Sequence, residues 1–171
     1  MNLFSRFVRG GAGLEPLYAA LVERARDPVW YREGQVPDTI DGRFDMIASL
    51  LSLLLIRLEA EGEAARADSV RLTELFIADM DGSLRQLGIG DVVVGKHVGK
   101  MMGALGGRLG AFRAALAGEG VLDDAVRRNV FRDEPPSETC VARVGERLRG
   151  FAGRLREVDL EQLRSGALPA A

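Results

Sequence analysis

One cysteine and one histidine in 171 residues close off whole classes of chemistry. Cys140 has no partner for an internal disulfide, which fits a reducing compartment, and its place on an apolar helix face argues for a buried thiol rather than a nucleophile. His97 has no second histidine or cysteine with which to build a zinc site. A basic excess is missing as well. Lys and Arg number 23 against 25 Asp and Glu, a net charge of −2, so no field gathers nucleic acid and no direct nucleic-acid recognition is expected. The longest charge-free apolar stretch, Met46 to Ile56, contains Ser49 and Ser52 and is too short to cross a bilayer. Strand-like alternation, internal repeats and low-complexity tracts are absent, apart from a small-residue tail. What is present, 47% hydrophobic and 28% charged, is the composition of one globular domain with a real core, and it excludes the disordered and fibrous classes.

Helical spacing predicts an all-α fold: a single compact multi-helix domain over residues 14–165 with a docked C-terminal helix, preceded by a segment 1–13 and followed by a tail 166–171. Leu14 to Arg26 places Leu17, Tyr18, Leu21, Val22 and Ala25 on one side, with Pro16 tolerable in the first turn, and a short aromatic helical turn follows Asp27-Pro28. Asp38 or Thr39 then caps a long helix to about Glu61, whose buried face runs Ile40, Phe44, Ile47, Leu51, Leu54, Leu55 and Leu58. Leu50 and Leu53 widen that arc until this reads as the central helix. The next helix spans about Glu63 to Leu87 and uses Val70, Leu72, Leu75, Phe76, Met80, Leu84 and Leu87. Beyond a short helix near Leu122 to Phe131 and a break at Pro135-Pro136, Val141, Val144, Leu148, Phe151, Leu155 and Val158 form a narrow seam suited to one neighbour. Asp159 to Leu163 continues or caps that helix. The first residues, MNLFSRFVRGGAG, lack the core and cleavage site of a secretion signal. Their Leu3, Phe4, Phe7 and Val8, with Arg6 and Arg9, make either a short amphipathic foot on an anionic membrane or, the preferred reading, a stretch that packs back on the domain or stays disordered.

Between these helices, Asp79 to Gly110 uses glycine where an ordinary helix uses alanine. Gly95, Gly99, Gly103 and Gly107 recur every four residues and share a stripe with Gly106 and Gly110, beside an apolar face of Val94, Val98, Met101, Met102, Leu105, Leu109, Phe112 and Leu116. Each helical glycine costs about 1 kcal/mol relative to alanine, so close approach by another helix is the expected compensation. A neighbouring helix of the same domain is the commoner partner for such a stripe and the first expectation. Lys96 and Lys100, the only lysines, project from the glycine side and favour an open face instead, because a buried stripe does not readily take two ammonium groups. The stretch GDVVVGK at 90–96 has the spacing of a phosphate-binding loop, but His97 stands where Ser or Thr should hold magnesium and no strand precedes it. Nucleotide binding is therefore set aside, and Asp91 is read as a helix N-cap after a turn at Gly88 and Gly90.

Two acidic turns remain. Asp38, Asp41 and Asp45 share one face at the start of the central helix, and Asp79 with Asp81 lies near the end of the next, close to Arg85. A metal or catalytic carboxylate cluster, an ionic latch between helices through Arg43 and Arg85, and a solvated face compete for them; the latch is preferred, since no histidine or further polar organisation accompanies the carboxylates. No catalytic set, metal or cofactor is expected.

VPDTIDGRFDM at 36–46, followed by FIADMDGSLRQLGIGDVVVGKHVGKMM at 76–102, resembles the ubiquinol-cytochrome c chaperone family in two long motifs within a similarity running from Leu14 to Phe131; the final helix lies beyond it. The resemblance implies an all-helical, non-enzymatic assembly factor that helps newly made cytochrome b reach the ubiquinol-cytochrome c oxidoreductase, with the ribosome or a small protein as further partner. Within that resemblance, the short N-terminus without a presequence leads to the expectation of a bacterial type, cytoplasmic, with peripheral contact at the inner face of the cell membrane as a further option. Lys96, Gly99, Lys100, Met101, Gly103 and Met80 are then the expected client surface, since helical glycines admit a close helix and methionines adapt to varied apolar shapes. Methionines at this spacing also suit a core. A helical adaptor or self-association module with no role for cytochrome b is the alternative, and a metal enzyme built on Asp38, Asp41, Asp79 and Asp81 a distant third.

Overall fold

The computed structural model describes residues 13–86 and 91–170, and among them every regular element is a helix. The fold is built around α3, Ile40–Glu59. Thr39 caps it, its Oγ1 accepting from the Gly42 amide at 3.1 Å, and Gly42 is demanded by space, because a Cβ there would lie 1.9 Å from the Pro37 carbonyl oxygen. From Asp45 to Leu55 every residue is buried, as befits a helix covered on all sides. The Ser49 and Ser52 hydroxyls donate to the Asp45 and Ala48 carbonyls at 2.7 and 2.8 Å, so neither is left unpaired among the leucines. Burying each leucine contributes about 1.5–3 kcal/mol.

Around α3 stand α1 (Glu15–Ala25), α4 (Arg66–Gln86), α5 (Asp91–Leu116), α6 (Leu122–Val130) and α7 (Glu138–Leu155), with the short α2 (Pro28–Arg32) and α8 (Leu160–Arg164) closing the ends. Asp27 caps α2, and Trp30, fully buried, donates its indole N–H to the Arg24 carbonyl at 3.0 Å. A 3-10 turn at Gly62–Ala65 precedes α4, so that helix starts three residues later than its pattern suggests. At the end of α5, Gly118 takes φ +80° while the Glu119 amide bonds the Ala114 carbonyl at 2.9 Å, a left-handed stop that satisfies the last carbonyls. The seam of α7 packs on α3 and α6 both, rather than on one neighbour. α8 is separate, capped by Asp159, and Arg57 of α3 secures the end of α7 through the Leu155 and Val158 carbonyls, each at 3.0 Å.

Several inward assignments are corrected. Ile40 is 66% exposed and Val70 55% exposed, since each lies just outside the arc its helix presents to the core. The Leu84 side chain and Leu87 lie outside the described residues, as do residues 1–12 with their amphipathic pattern. Residues 91–96 form the first turns of α5, which leaves no phosphate loop there; the cap and the turn expected at 88–90 lie outside the described residues. The tail is tied down as far as Ala170: Leu168 packs on the core, and the Arg154 guanidinium donates to the Ala170 carbonyl at 2.9 Å.

Candidate functional site

α5 has two unlike sides. Leu105, Arg108 and Phe112 point inward, at 3%, 5% and 0% exposure, with Met101 and Leu109 half-buried against the core. The opposite side is bare. Gly95, Gly99, Gly103, Gly106, Gly107 and Gly110 are all exposed, and a Cβ at any of them would meet nothing within 4 Å among the described residues. The expectation of an internal helix lying on the stripe is therefore corrected: α5 packs on α3, α4 and α6 through its other face. Lys96 and Lys100 are exposed on this bare side and Met102 is half-exposed beside it. Met80, grouped with these residues by sequence, is 7% exposed and belongs to the core, as does Met46. The Val94, His97 and Val98 side chains lie outside the described residues.

What holds this helix is a buried ion network. Arg108 Nη2 donates to Asp45 Oδ1 on α3, and the same guanidinium donates to the Asn129 carbonyl of α6 at 3.0 Å. Arg132, just past α6 in a left-handed backbone conformation (φ 51°), completes the set by donating to Asp45 Oδ2 at 2.7 Å and Asp41 Oδ2 at 2.9 Å. The Arg108 guanidinium also lies over the Phe44 ring, 5.4 Å from its centroid, and Phe44 in turn meets Phe76 of α4 at 5.7 Å. Burial pushes the Asp45 carboxyl above its usual range against the pull of Arg132 and Arg108, and pushes the Arg108 guanidinium below its own. Each is a counter-ion of the other; removing Asp45 strands the buried Arg108 guanidinium, whereas without Arg108 the Asp45 carboxylate keeps Arg132.

The acidic turns are thus tied down, Asp41 and Asp45 through Arg132 and Arg108 rather than through Arg43. Arg43 donates to Asp38 at 2.7 Å within the same exposed turn, and that contact holds the Asp38 carboxyl below the ordinary range. Asp79 accepts from the buried Tyr18 hydroxyl of α1 at 2.9 Å; burial first, and then the Asp79 carboxylate, push that phenol well above its usual pKa. Asp81 pairs with Arg85 one turn on in the same helix, at 2.7 Å. No three carboxylate, histidine or cysteine side chains among the described residues converge in a way that would hold a metal ion. Cys140 is buried under the start of α7.

Sequence reasoning missed Arg108, Arg132 and Tyr18. A signal for Arg108 was present: it occupies the apolar stripe between Leu105 and Phe112, where an arginine requires a buried carboxylate. No comparable signal marks Arg132, which sits in the irregular turn after α6.

The described residues thus form an all-helical bundle with one long helix face open to contact. The chain belongs to the ubiquinol-cytochrome c chaperone family, whose pattern it matches over residues 32–170, so the family extends through α7 and α8, past the two motifs. It is also similar to the crystal structure of the Cbp3 homolog from Brucella abortus, with 32% sequence identity and a TM-score of 0.82 over 99% of this chain and 94% of that one. No curated protein matches the chain.

Proposed function

We propose that this chain is a non-enzymatic assembly factor that holds newly made cytochrome b for the ubiquinol-cytochrome c oxidoreductase, and that the bare face of α5 is where it does so. One observation carries the reading: six glycines of one helix face solvent with no described residue within 4 Å of a Cβ, flanked by the exposed Lys96 and Lys100. A face without side chains lets a second helix approach to backbone contact, which suits a client whose segments are apolar helices. The half-exposed Met101 and Met102 supply adaptable apolar contacts at its edge, and the two ammonium groups favour a client or partner with acidic flanks. No helix among the described residues is long and apolar enough to cross a membrane; in this reading the chain acts in the cytoplasm, at the inner face of the cell membrane.

Lys96→Glu with Lys100→Glu tests this. Both heads are in water, so the double variant is expected to melt as the parent does while capturing less cytochrome b and lowering the level of assembled oxidoreductase. Normal melting together with undiminished capture and assembly would remove this face from the mechanism and leave the helical-adaptor reading.

A further inference from the structure

We propose that α5 opens from the bundle as a unit while the other helices stay folded, and that this opening governs how readily a client is taken up. The opening is a property of this chain alone; its use for cytochrome b rests on the function proposed above.

α5 is the longest helix among the described residues, at 26 residues, yet of its described side chains only Leu105, Arg108 and Phe112 are buried. α7, with 18 residues, buries Val141, Val144, Leu148, Phe151 and Leu155 along its seam. Helices that bury little apolar surface are the first to part from a native structure. Six exposed glycines weaken α5 further, since glycine disfavours helical backbone.

One of the three buried anchors is a charge, and the way it is paired favours release. Burial holds the Arg108 guanidinium below its usual range, and its Nη1 is buried without a hydrogen-bond partner. Opening returns that group to water, which satisfies Nη1 and restores the hydration of the cation. The carboxylate left behind is not stranded, because Asp45 Oδ2 keeps Arg132 at 2.7 Å, and Arg132 lies just past α6, not on α5. The ion network therefore divides into two parts, one cation leaving with α5 and the other staying with Asp45.

Towards the end of α5, Arg113 holds Glu59 of α3 at 2.6 and 3.1 Å, an exposed pair that water replaces at little cost. Beyond it Gly118, at φ +80°, ends the helix in a turn on which α5 swings. What opening uncovers on α3 is apolar. Phe44 lies under the Arg108 guanidinium, and Leu55 shares a hollow of about 340 Å³ with Leu109. An apolar client helix finds there the seat that α5 has left.

Amide exchange of the full chain, without client, tests the opening. Exchange over 99–116 is expected to be about a hundredfold faster than over 47–55 and 141–152. Val144→Ala in α7, beside Gly34, should speed exchange over 47–55 and 141–152 about tenfold and leave 99–116 unchanged. Equal protection of α5 and α3, or equal acceleration of both by Val144→Ala, would overturn the proposal. Its use is tested by stapling α5 to α3: Glu59→Cys and Arg113→Cys, in a Cys140→Ser chain, joined by a bismaleimide with an internal disulfide. The staple should slow exchange over 99–116 about tenfold and reduce capture of cytochrome b, and reduction should restore both. Undiminished capture by the stapled chain would show that opening plays no part in uptake. Absence of capture by the unstapled chain would strike the proposed function instead, with the opening still decided by exchange.

Discussion

α3 and α5 are long neighbours, of 20 and 26 residues, and they use glycine in opposite ways. The glycine of α3, Gly42, is packed to the limit beneath the Pro37 carbonyl, and the helix beyond it disappears into the core. Six glycines of α5 have no described residue within 4 Å of a Cβ, at a propensity cost of about 1 kcal/mol each that no such neighbour returns. A sacrifice of that size in a protein of ordinary marginal stability points away from folding and toward contact with another molecule. α5 can carry it because its inner face is held by Leu105, Phe112 and the Arg108–Asp45 pair.

The comparison is broken most forcefully from the α3 side. Leu51→Asp or Leu54→Asp places a carboxylate with no partner where exposure is 0%, a penalty of several kcal/mol against a total of about 5 to 15. Either variant is expected to lose its cooperative circular-dichroism melt, and two parent-like melts would show that α3 is not the central element.

Next in size is the ion network that joins the two helices. Asp45→Asn strands Arg108 in the core and is expected to cost about 3–5 kcal/mol by urea denaturation. Asp45→Leu combined with Arg108→Met removes both charges and should recover most of that loss, while Arg132, half in water and still near Asp41, rehydrates cheaply. A double variant as unstable as Asp45→Asn would mean that the cost lies in packing around Phe44 rather than in stranded charge.

These two experiments also separate what sequence could reveal from what it could not. α3 and α7 were legible because their apolar positions repeat at helical spacing, a local signal that survives any tertiary arrangement. The partner of Asp45 was not. Its arginines lie 63 and 87 residues away, among many others with equal claim, and nothing local distinguishes a pairing made only after α5 and α6 have docked. Arg43 was the nearer candidate and took Asp38 instead. For the glycine stripe, spacing identified the face but not its direction, because close helix packing inside a domain and an open binding face ask for the same small residues. The pair of lysines was the discriminating feature, and both heads are in water.

The smallest expected effect sharpens the comparison most, because it reverses sign between the two helices. Gly42→Ala puts a methyl group against a backbone carbonyl that cannot move without displacing the start of α3, so the variant should lose stability. Gly99→Ala and Gly103→Ala put the same group into open space with helical backbone already suited to it, and each should gain about 1 kcal/mol, a rise in Tm of about 2–4 °C. Their second consequence is functional: a methyl on the bare face holds an approaching helix farther away, so the stabilised double variant should capture cytochrome b less well than the parent. Gain of stability with loss of capture is the joint result that a binding face predicts. Loss of stability in Gly99→Ala and Gly103→Ala would mean instead that the stripe is covered in solution and that α5, like α3, spends its glycines on packing.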